Sequence, residues 1–410
     1  MLQDRWQVVV IGAGAAGLMA ALRAAERGQQ TLLLEKNRKA GVKILMSGGT
    51  RCNLTQDTDE RGIVAAYGAP GKFLHSALAA FGVQECIEFF ETEGVATKVE
   101  ATGKVFPVSN RAADVLAALL RRLERSGASL ALGEPVLSVS VEDGAFRVGT
   151  PARALNARRV ILTSGGQSYP GSGTTGDGYR FATALGHRIV PPRPALVPLT
   201  TTAAWVAELR GVTLPDVAVR VWDGAHELAR RRGSLLFAHF GLSGPVILDV
   251  SRVVSGHPQP QTLVVEVDLG PAIEAAALSN WLRDESLTSG KKQLAVVLAQ
   301  RMPRRLAEAA LEQAGLPRER KSAALSRDER GRLTASIKGL RIPITGTLGF
   351  KKAEVTAGGV ALDEVDSRSM QSKLALGFFL AGEVLDLDGP IGGYNFQAAW
   401  STGWLAGSSV

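Results

Sequence analysis

A glycine-rich turn between an apolar segment and a helix-like segment constrains this chain more than any other feature. Residues 7–11, Gln-Val-Val-Val-Ile, indicate a buried parallel strand. Residues 12–17 then read Gly-Ala-Gly-Ala-Ala-Gly, and residues 15–27 indicate a helix. Residues 31–34, Thr-Leu-Leu-Leu, predict a second buried strand. The chain therefore begins with a βαβ unit of roughly 30 residues, the usual length of this motif.

Each glycine of this turn has its own physical role. Gly12 permits the turn, Gly14 lets the backbone approach a pyrophosphate, and Gly17 lets helix and strand pack closely. The phosphates would lie at the helix N-terminus, beside Ala15 and Ala16, where free N–H groups and the helix dipole favour anions. The spacing predicts dinucleotide binding.

Glu35 ends the second predicted strand, 18 residues after Gly17. A carboxylate at this position can bind the ribose hydroxyls of adenosine, which suits FAD or NAD better than a nucleotide with a 2′-phosphate. Lys36 is a further candidate contact, although its charge and that of Arg38 weaken the preference. The first turn alone does not distinguish FAD from NAD as the bound dinucleotide.

The segment after the second strand is the first of three that favour FAD. Residues 41–53 are rich in glycine and carry a lysine and an arginine, so they bring backbone donors and positive charge to the expected pyrophosphate. Such a loop can clamp the phosphates and the ribityl chain of FAD, whereas an NAD domain does not need it. Its candidate contacts are Lys43, Ser47, Gly48, Gly49, Arg51, Cys52 and Asn53.

A second glycine-rich segment follows a strand predicted over residues 160–163. Thr163, Gly165 and Gly166 occupy the place where the chain of an FAD domain passes beside the cofactor. The small residues of 168–178 indicate backbone that lies close to a planar ligand.

The third segment lies near the end of the chain. A Gly-Glu pair after a late strand is expected on the ribityl hydroxyls, and the next loop leads into the final helix. The N-terminus of that helix would stabilise negative charge on a reduced flavin. The candidate contacts are Gly382, Glu383, Gly392, Gly393, Tyr394 and Asn395, together with Val136, which lies in a strand predicted over residues 135–141.

The composition changes at the proline-rich stretch 191–194, which indicates a domain boundary. The middle third of the chain is predicted as short strands followed by helices. We therefore expect a discontinuous α/β domain formed by residues 1–192 and 341–410, with residues 193–340 inserted into it.

Two blocks resemble a known family of bacterial and archaeal flavoproteins. Ser-Gly-Gly-x-Arg-Cys-Asn at 47–53 and Gly-Gly-Tyr-Asn-Phe-Gln at 392–397 resemble the BaiN/YhiN-type NAD(P)/FAD-dependent oxidoreductases, also called aminoacetone-oxidase-like flavoproteins. Further matching stretches cover nearly the full length in the same order. One departure is Thr50, where the family usually has a third glycine.

The resemblance implies a doubly wound FAD-binding domain of the glutathione-reductase type, with an inserted β-barrel-like domain that carries a helical piece. It also implies non-covalent FAD, with NADH or NADPH as electron donor. Because a second G-x-G-x-x-G turn is missing, we expect this donor to bind transiently. Family members act on varied substrates, including enones in bile-acid derivatives and amines. The resemblance therefore indicates the identity of the cofactor but not that of the substrate.

Three side chains are weak catalytic candidates, and the flavin itself would carry the hydride. Cys52 could have a lowered thiol pKa in its Arg-Cys-Asn setting, or could be a buried packing thiol. His239 could donate a proton to a substrate, or could be structural. Tyr394 could contact flavin or substrate.

The five histidines and two cysteines show no metal-ligand spacing, so we expect no metal site.

The net charge of +8 and the pI near 9.6 leave the partner class open. We expect an oxidoreductase with a small-molecule substrate and with no nucleic-acid or membrane partner, since a basic cleft also suits anionic cofactors. The alternatives are an FAD-dependent tRNA-modifying enzyme, which the charge motivates, and a flavin-binding protein without turnover. Few cysteines and the lack of a signal-peptide pattern predict a cytoplasmic protein. The oligomeric state stays open.

Overall fold

The computed structural model describes residues 5–323 and 325–410. The strands are β1 (Arg5–Ile11), β2 (Thr31–Glu35), β3 (Thr55–Gln56), β4 (Thr97–Val99), β5 (Lys104–Pro107), β6 (Ser129–Leu132), β7 (Ser138–Glu142), β8 (Ala145–Gly149), β9 (Ala154–Leu162), β10 (Ile189–Ala195), β11 (Leu199–Thr200), β12 (Thr213–Asp223), β13 (His226–Ala238), β14 (Gly241–Ser243), β15 (Leu263–Asp268), β16 (Leu340–Pro343), β17 (Gly346–Thr347), β18 (Val355–Val360) and β19 (Phe378–Leu380).

The helices are α1 (Ala15–Glu26), α2 (Val42–Thr50), α3 (Glu60–Tyr67), α4 (His75–Ala80), α5 (Val83–Thr92), α6 (Ala112–Ser126), α7 (Asp177–Ala184), α8 (Ala204–Glu208), α9 (Pro245–Gly256), α10 (Ala275–Thr288), α11 (Leu294–Leu298), α12 (Arg304–Gln313), α13 (Arg327–Lys338) and α14 (Tyr394–Ser409). In the described ranges, no helix combines the length and the apolar composition that a membrane crossing requires.

The chain divides into two compact units. The first contains the chain up to Pro194 together with Glu354–Val410, and the inserted unit is Ala195–Ala353. The return to the first unit comes later than the predicted residue 340, because β16 and β17 still belong to the sheet of the inserted unit. A sequence pattern of short strands does not reveal which sheet each strand joins.

The first unit is built on a seven-stranded sheet in the order β6-β2-β1-β9-β8-β7, and β19 also pairs with β9. β1 lies between β2 and β9 and is parallel to both. β19 is parallel to β9 as well, whereas β8 and β7 are antiparallel additions. This arrangement confirms the doubly wound α/β fold class.

Alternate residues of β1 face opposite sides of this sheet. Val8 and Val10 pack into one core with α1, α6 and α14, whereas Val9 and Ile11 pack into a second core. Because both faces are covered, the strand is a continuous apolar run instead of an alternating one. The carboxyl ends of β1 and β9 meet at one edge of the sheet, directly before the glycine turns.

The helices α1 and α14 cross in direct contact because glycines occupy the crossing. A Cβ on Gly403 would lie 2.4 Å from the carbonyl oxygen of Ala16, and one on Gly407 would lie 2.4 Å from that of Ala20. The C-terminal helix is thereby held against the helix that follows the first glycine turn.

The proline-rich stretch predicted as a domain boundary ends the first part of the first unit, at Pro194, and it forms a strand. β10 contains these prolines and pairs with β18 in a separate two-stranded ribbon. An outer strand tolerates proline because it need not donate on both sides. A Cβ on Gly358 would lie 2.5 Å from the carbonyl oxygen of Pro191, so the ribbon depends on a glycine at that contact.

The inserted unit contains a seven-stranded antiparallel sheet in the order β16-β15-β12-β13-β14-β11-β17. Its two outer strands are joined by Ile344 and Thr345, whose N–H groups bond to Leu263 and Thr200 near opposite ends of the sheet. The sheet must therefore curl until its edges approach each other, which confirms the β-barrel-like expectation. The predicted helical piece is α10–α13, with a small core of its own.

Candidate functional site

The first glycine turn combines two crowded positions with one open position. A Cβ on Gly12 would lie 2.8 Å from the carbonyl oxygen of Thr163, and one on Gly17 would lie 1.8 Å from that of Gly12. A Cβ on Gly14 would meet nothing within 4 Å. No side chain caps α1 at Gly14, so the first N–H groups of the helix, beginning at Ala15, are free to bind an anion.

Glu35 lies beside this turn and is already bound to the backbone. Its carboxylate accepts hydrogen bonds from the N–H groups of Ala13 and Asn37, both at 2.8 Å. The N–H of Glu134 bonds to the carbonyl oxygen of Glu35, which brings the segment of Val136 to the same edge. Val136 itself precedes β7, so the strand predicted from residue 135 begins three residues later.

Lys36 and Thr163 are engaged within the protein. The Lys36 ammonium lies 2.6 Å from both the Asp177 carboxylate and the Thr175 hydroxyl. The hydroxyl of Thr163 donates to the carbonyl oxygens of Ile11 and Gly12, each at 2.9 Å. Both side chains therefore join chain segments around the turn.

The segment predicted as a glycine-rich loop begins with a short helical stretch, residues 42–46, and has non-helical backbone at the glycines that follow. Lys43 lies in the regular part of α2, and the helix loses its regular geometry at Ser47. Gly48, Gly49 and Thr50 then have φ values of 54°, 67° and 69°. Only glycine adopts this left-handed backbone without cost, so Thr50 is strained.

Arg51 and Cys52 are held by neighbouring side chains. The Arg51 guanidinium lies 2.7 Å from the Glu100 carboxylate and 3.9 Å from the ring centre of Phe106. Cys52 is fully buried, and this burial raises the pKa of its thiol to about 12. The hypothesis of a lowered thiol pKa is therefore wrong, and the structure supports a packing role.

Two buried oxygens next to this segment lack a partner. Asn53 is 8% exposed and Thr55 is fully buried, yet Asn53 Oδ1 and Thr55 Oγ1 form no hydrogen bond with any described residue. Buried polar atoms are nearly always paired, so these two fit a site completed by a polar ligand. With the open N-terminus of α1, they make the residues present compatible with an anionic dinucleotide.

A polar network joins three distant parts of the chain. Lys43 Nζ lies 2.6 Å from Glu383 Oε2 and 2.7 Å from Ser168 Oγ. Glu383 Oε1 accepts from the Ser168 hydroxyl at 2.6 Å and from the Thr356 N–H at 2.9 Å. The Thr356 hydroxyl accepts from the N–H groups of Gln167 and Ser168. We call Lys43, Ser168, Thr356 and Glu383 the polar hub.

Glycines allow the surrounding chain to approach this hub. A Cβ on Gly166 would lie 2.4 Å from Thr356 Oγ1 and 3.0 Å from Glu383 Oε1. Gly165 and Gly382 have φ values of 74° and 76°, which also require glycine. Ser168 begins the stretch 168–178 that was predicted to lie close to a planar ligand. The side-chain bonds that join Ser168 and Thr356 to Glu383 were not predicted, because these residues are distant in sequence.

The last glycine pair begins α14. A Cβ on Gly393 would lie 2.5 Å from the backbone of Thr55, so this helix starts against the strand that follows Asn53. Gly392 has a φ of 131° and lies against the Tyr394 ring. No side chain caps α14 at Gly393, which leaves a second helix N-terminus available to an anion.

Asn395 organises the loop before α14. Its amide oxygen accepts from the N–H of Gly389, and its amide nitrogen donates to the carbonyl oxygens of Gly389 and Pro390. The carbonyl oxygen of Tyr394 accepts from the Tyr67 hydroxyl at 3.0 Å. Burial and the carboxylates of Asp388 and Glu383 raise the pKa of Tyr67, which keeps it a proton donor.

His239 belongs to the inserted unit, in the turn between β13 and β14. It is exposed, and its ring centre lies 5.0 Å from that of Phe240. Within the described residues, no group of His, Cys, Asp and Glu side chains could hold a metal ion.

A serine, a histidine and a carboxylate also meet elsewhere in the first unit. His187 Nε2 lies 2.8 Å from Ser372 Oγ, and Nδ1 lies 3.3 Å from Glu364 Oε2. This is the order of a hydrolytic triad. Ser372 is only 3% exposed, however, and its oxygen accepts from the N–H groups of Leu374 and Ala375. We interpret the group as structural.

Comparison with known proteins is consistent with this geometry. The family described as HI0933-like protein Rossmann domain matches residues 6–409. The ribosomal RNA dihydrouridine synthase of Escherichia coli K12 is 32% identical over 410 residues, which cover 99% of this chain and 98% of the relative. The 3-dehydro-bile acid delta(4,6)-reductase of Clostridium scindens is 32% identical over 411 residues, with 98% of each covered.

A solved structure, the FrdA subunit of E. coli quinol fumarate reductase, aligns with 100% of this chain and 70% of its own. The TM-score is 0.51 at 15% identity, which indicates a similar fold and nothing further. The family match and the full-length relatives confirm the resemblance that the sequence blocks implied. The chain belongs to the HI0933-like family of FAD-dependent Rossmann-domain oxidoreductases.

Proposed function

We propose that this protein is an FAD-dependent reductase that saturates a C=C bond conjugated to a carbonyl group, with NAD(P)H as electron donor and a small organic compound as substrate. The names of two full-length relatives support the reaction type. Dihydrouridine is uridine with one ring double bond saturated next to a carbonyl, and a delta(4,6)-reductase saturates double bonds conjugated to a 3-oxo group.

The polar hub is the observation that carries the proposal. Its ion pair fixes the positive charge of Lys43 among the segments assigned to the cofactor. FAD, when bound, supplies the hydride chemistry. Lys43 and the open N-terminus of α14 would then stabilise the negative charge that reduction places on the cofactor.

The substrate must also receive a proton, and the chain offers two of the original candidates for this step. Cys52 is unsuitable because its thiol is buried and its pKa is raised to about 12. Tyr394 and His239 remain candidate proton donors. Val136 and the glycines of the three turns are proposed as backbone neighbours of the cofactor.

The donor would bind transiently. The sequence has only one G-x-G-x-x-G turn between a strand and a helix, so a second Rossmann domain for the nicotinamide nucleotide is not expected. We propose that NADH or NADPH would bind only transiently, without a Rossmann domain of its own.

A second candidate substrate is a uracil ring within RNA. The relative from E. coli is named a ribosomal RNA dihydrouridine synthase, and the net charge of +8 favours a polyanionic partner. In this case the substrate is RNA instead of a small molecule, and the reaction is still the reduction of a conjugated C=C bond.

The experiment that tests the proposal is anaerobic reoxidation of the reduced flavin. The protein is reduced with NADH or NADPH and mixed with an α,β-unsaturated ketone, with uridine or with protein-free ribosomal RNA. Return of the oxidised flavin spectrum, with two added hydrogens in the product by mass spectrometry, supports the proposal and identifies the substrate class. Reoxidation by none of these acceptors would contradict it.

A further inference from the structure

The positive charge of the chain is concentrated in one part of the inserted unit. Residues 275–338, which contain α10–α13, carry 13 Lys and Arg against 7 Asp and Glu, a net charge of +6. The rest of the inserted unit has 9 against 8, and the first unit has 25 against 24. The cofactor unit is thus nearly neutral, so its anionic ligand does not explain the excess charge.

Within this helical segment, two connections bring basic residues together. The N–H of Ser322 bonds to the carbonyl oxygen of Lys292 at 2.9 Å, and that of Leu294 bonds to Arg320 at 2.7 Å. Gln293 and Lys321 are paired as in an antiparallel ladder. Lys291 and Lys292 therefore lie beside Lys321, although about 30 residues separate them in the chain.

The first turn of α13 is hydrogen-bonded to the same pair of connections, through Arg320. The Arg320 guanidinium binds both oxygens of Glu329 in the first turn of α13 and also the carbonyl oxygen of Ala323. Arg327, the first residue of that helix, is consequently held near Lys321. A cation at a helix N-terminus opposes the helix dipole, so helix stability does not account for Arg327.

These four residues differ from three arginines of the same segment. Arg304, Arg318 and Arg320 each form an ion pair with a glutamate. Lys291, Lys292, Lys321 and Arg327 are all exposed, and none forms an ion pair with a described residue. We call these four residues the basic cluster.

We propose that the basic cluster binds the phosphate backbone of an RNA substrate. The proposal rests on the second candidate of the proposed function. Unpaired cations close together on an exposed surface neutralise successive phosphates and release their counterions, which gives salt-dependent affinity without sequence readout.

The test compares two full-length FAD-reconstituted variants that lose the same charge. One is K291Q/K292Q/K321Q. The matched control is R27Q/R61Q/K72Q, which removes three exposed cations of the first unit that form no ion pair with a described residue. The probe is a fluorescein-labelled RNA hairpin of 24 nucleotides, and fluorescence anisotropy gives Kd at several KCl concentrations.

The cluster variant is expected to bind the hairpin at least about tenfold more weakly than the control, and the slope of log K against log salt is expected to fall by about 2, as for three lost phosphate contacts. Both variants should retain the wild-type melting temperature and flavin spectrum. Equal loss of affinity in the two variants would overturn the proposal. So would cluster-dependent binding to anionic phospholipid vesicles without binding to RNA, or no RNA binding by the wild type at low salt.

The result is separable from the proposed function. If a small enone reoxidises the reduced flavin while the hairpin does not bind, the reductase proposal stands and the RNA surface is refuted. If the hairpin binds through the cluster and no acceptor is reduced, the surface stands and the reductase proposal fails.

Discussion

At the scale of single residues, Thr50 has a backbone conformation that favours glycine. Its φ of 69° follows two glycines that are also left-handed. A non-glycine residue in this conformation costs about 1–3 kcal/mol. The turn thus keeps a glycine geometry without the third glycine.

We predict that T50G raises the free energy of unfolding by about 1 kcal/mol, because relief of the strain exceeds the entropy that glycine gains in the unfolded chain. Urea denaturation measures this change. The reciprocal variant G49T places a second β-branched residue at a φ of 67° and should lower stability. An unchanged or lower stability of T50G would contradict the strain assigned here.

Lys43 is the residue on which the polar hub depends. We predict that K43M raises the Kd for FAD about tenfold, since a charged hydrogen bond contributes about 1.5–3 kcal/mol and the loss leaves a half-buried Glu383 carboxylate with fewer donors. Quenching of FAD fluorescence by apoprotein gives this affinity. The control is K39M, an exposed lysine outside the hub. Equal affinities of K43M and K39M would remove Lys43 from cofactor binding.

Residue-level prediction from sequence worked for local geometry and failed for distant contacts. The need for glycine at positions 12 and 17 was predicted from a motif of six residues. In the structure, a Cβ at either position would lie too close to a backbone carbonyl oxygen. The bond from Lys43 to Glu383 spans 340 residues and leaves no local signal. The sequence left the Cys52 thiol open between an activated group and a packing group, because its Arg neighbour is visible in sequence whereas its complete burial is not.

At the scale of elements, the contact between α1 and α14 connects the two ends of the chain at the cofactor-binding edge. We predict that G403A lowers the free energy of unfolding by about 1–3 kcal/mol, because the added methyl would overlap the Ala16 carbonyl group. The matched control is G331A in α13, where a Cβ meets nothing within 4 Å. Removing a helical glycine there should stabilise the protein by about 0.5–1 kcal/mol. Equal effects of the two substitutions in thermal denaturation would contradict the close crossing.

For β9 only the apolar end was predicted, because its first residues alternate between exposed and buried positions. The continuous apolar run of β1 was predicted well, since both faces of this strand are covered and the sequence shows this directly. Elements rich in glycine or proline were not. Composition suggested a loop for residues 41–53 and a boundary at 191–194, but it did not reveal that residues 42–46 are helical or that the boundary lies in an outer strand. In both places, tertiary contacts override the local preference.

At the scale of the whole molecule, His187 makes stability depend on pH. Burial lowers the pKa of His187 below its usual value near 6.5, against the opposing effect of Glu364. Between the two values the unfolded chain binds more protons, so stability is complete above about pH 6.5 and declines as pH falls toward the folded-state pKa.

We predict that the wild type loses more stability between pH 7.5 and pH 5.5 than H187Q does, as measured by urea denaturation at each pH. The exposed His226 provides the control, and H226Q should keep the wild-type difference. If H187Q shows the same pH dependence as the wild type, His187 does not contribute it.

The sequence also predicted the large-scale division of the molecule into a cofactor unit and an inserted unit, because the two have different element patterns. It did not reveal that residues 275–338 carry +6 of the net charge of +8, since the boundaries needed for that count come from the structure. The charge was therefore first interpreted for the whole chain, and its concentration in one segment changes which partner it favours.

The most direct test of the central claim is the anaerobic visible spectrum of the FAD-reconstituted protein during addition of NADH and then NADPH. We predict an oxidised flavin spectrum that bleaches with one of the two donors. Failure to retain FAD after reconstitution, or a bound flavin that neither donor reduces, would contradict the account of this protein as an FAD-dependent reductase with NAD(P)H as electron donor.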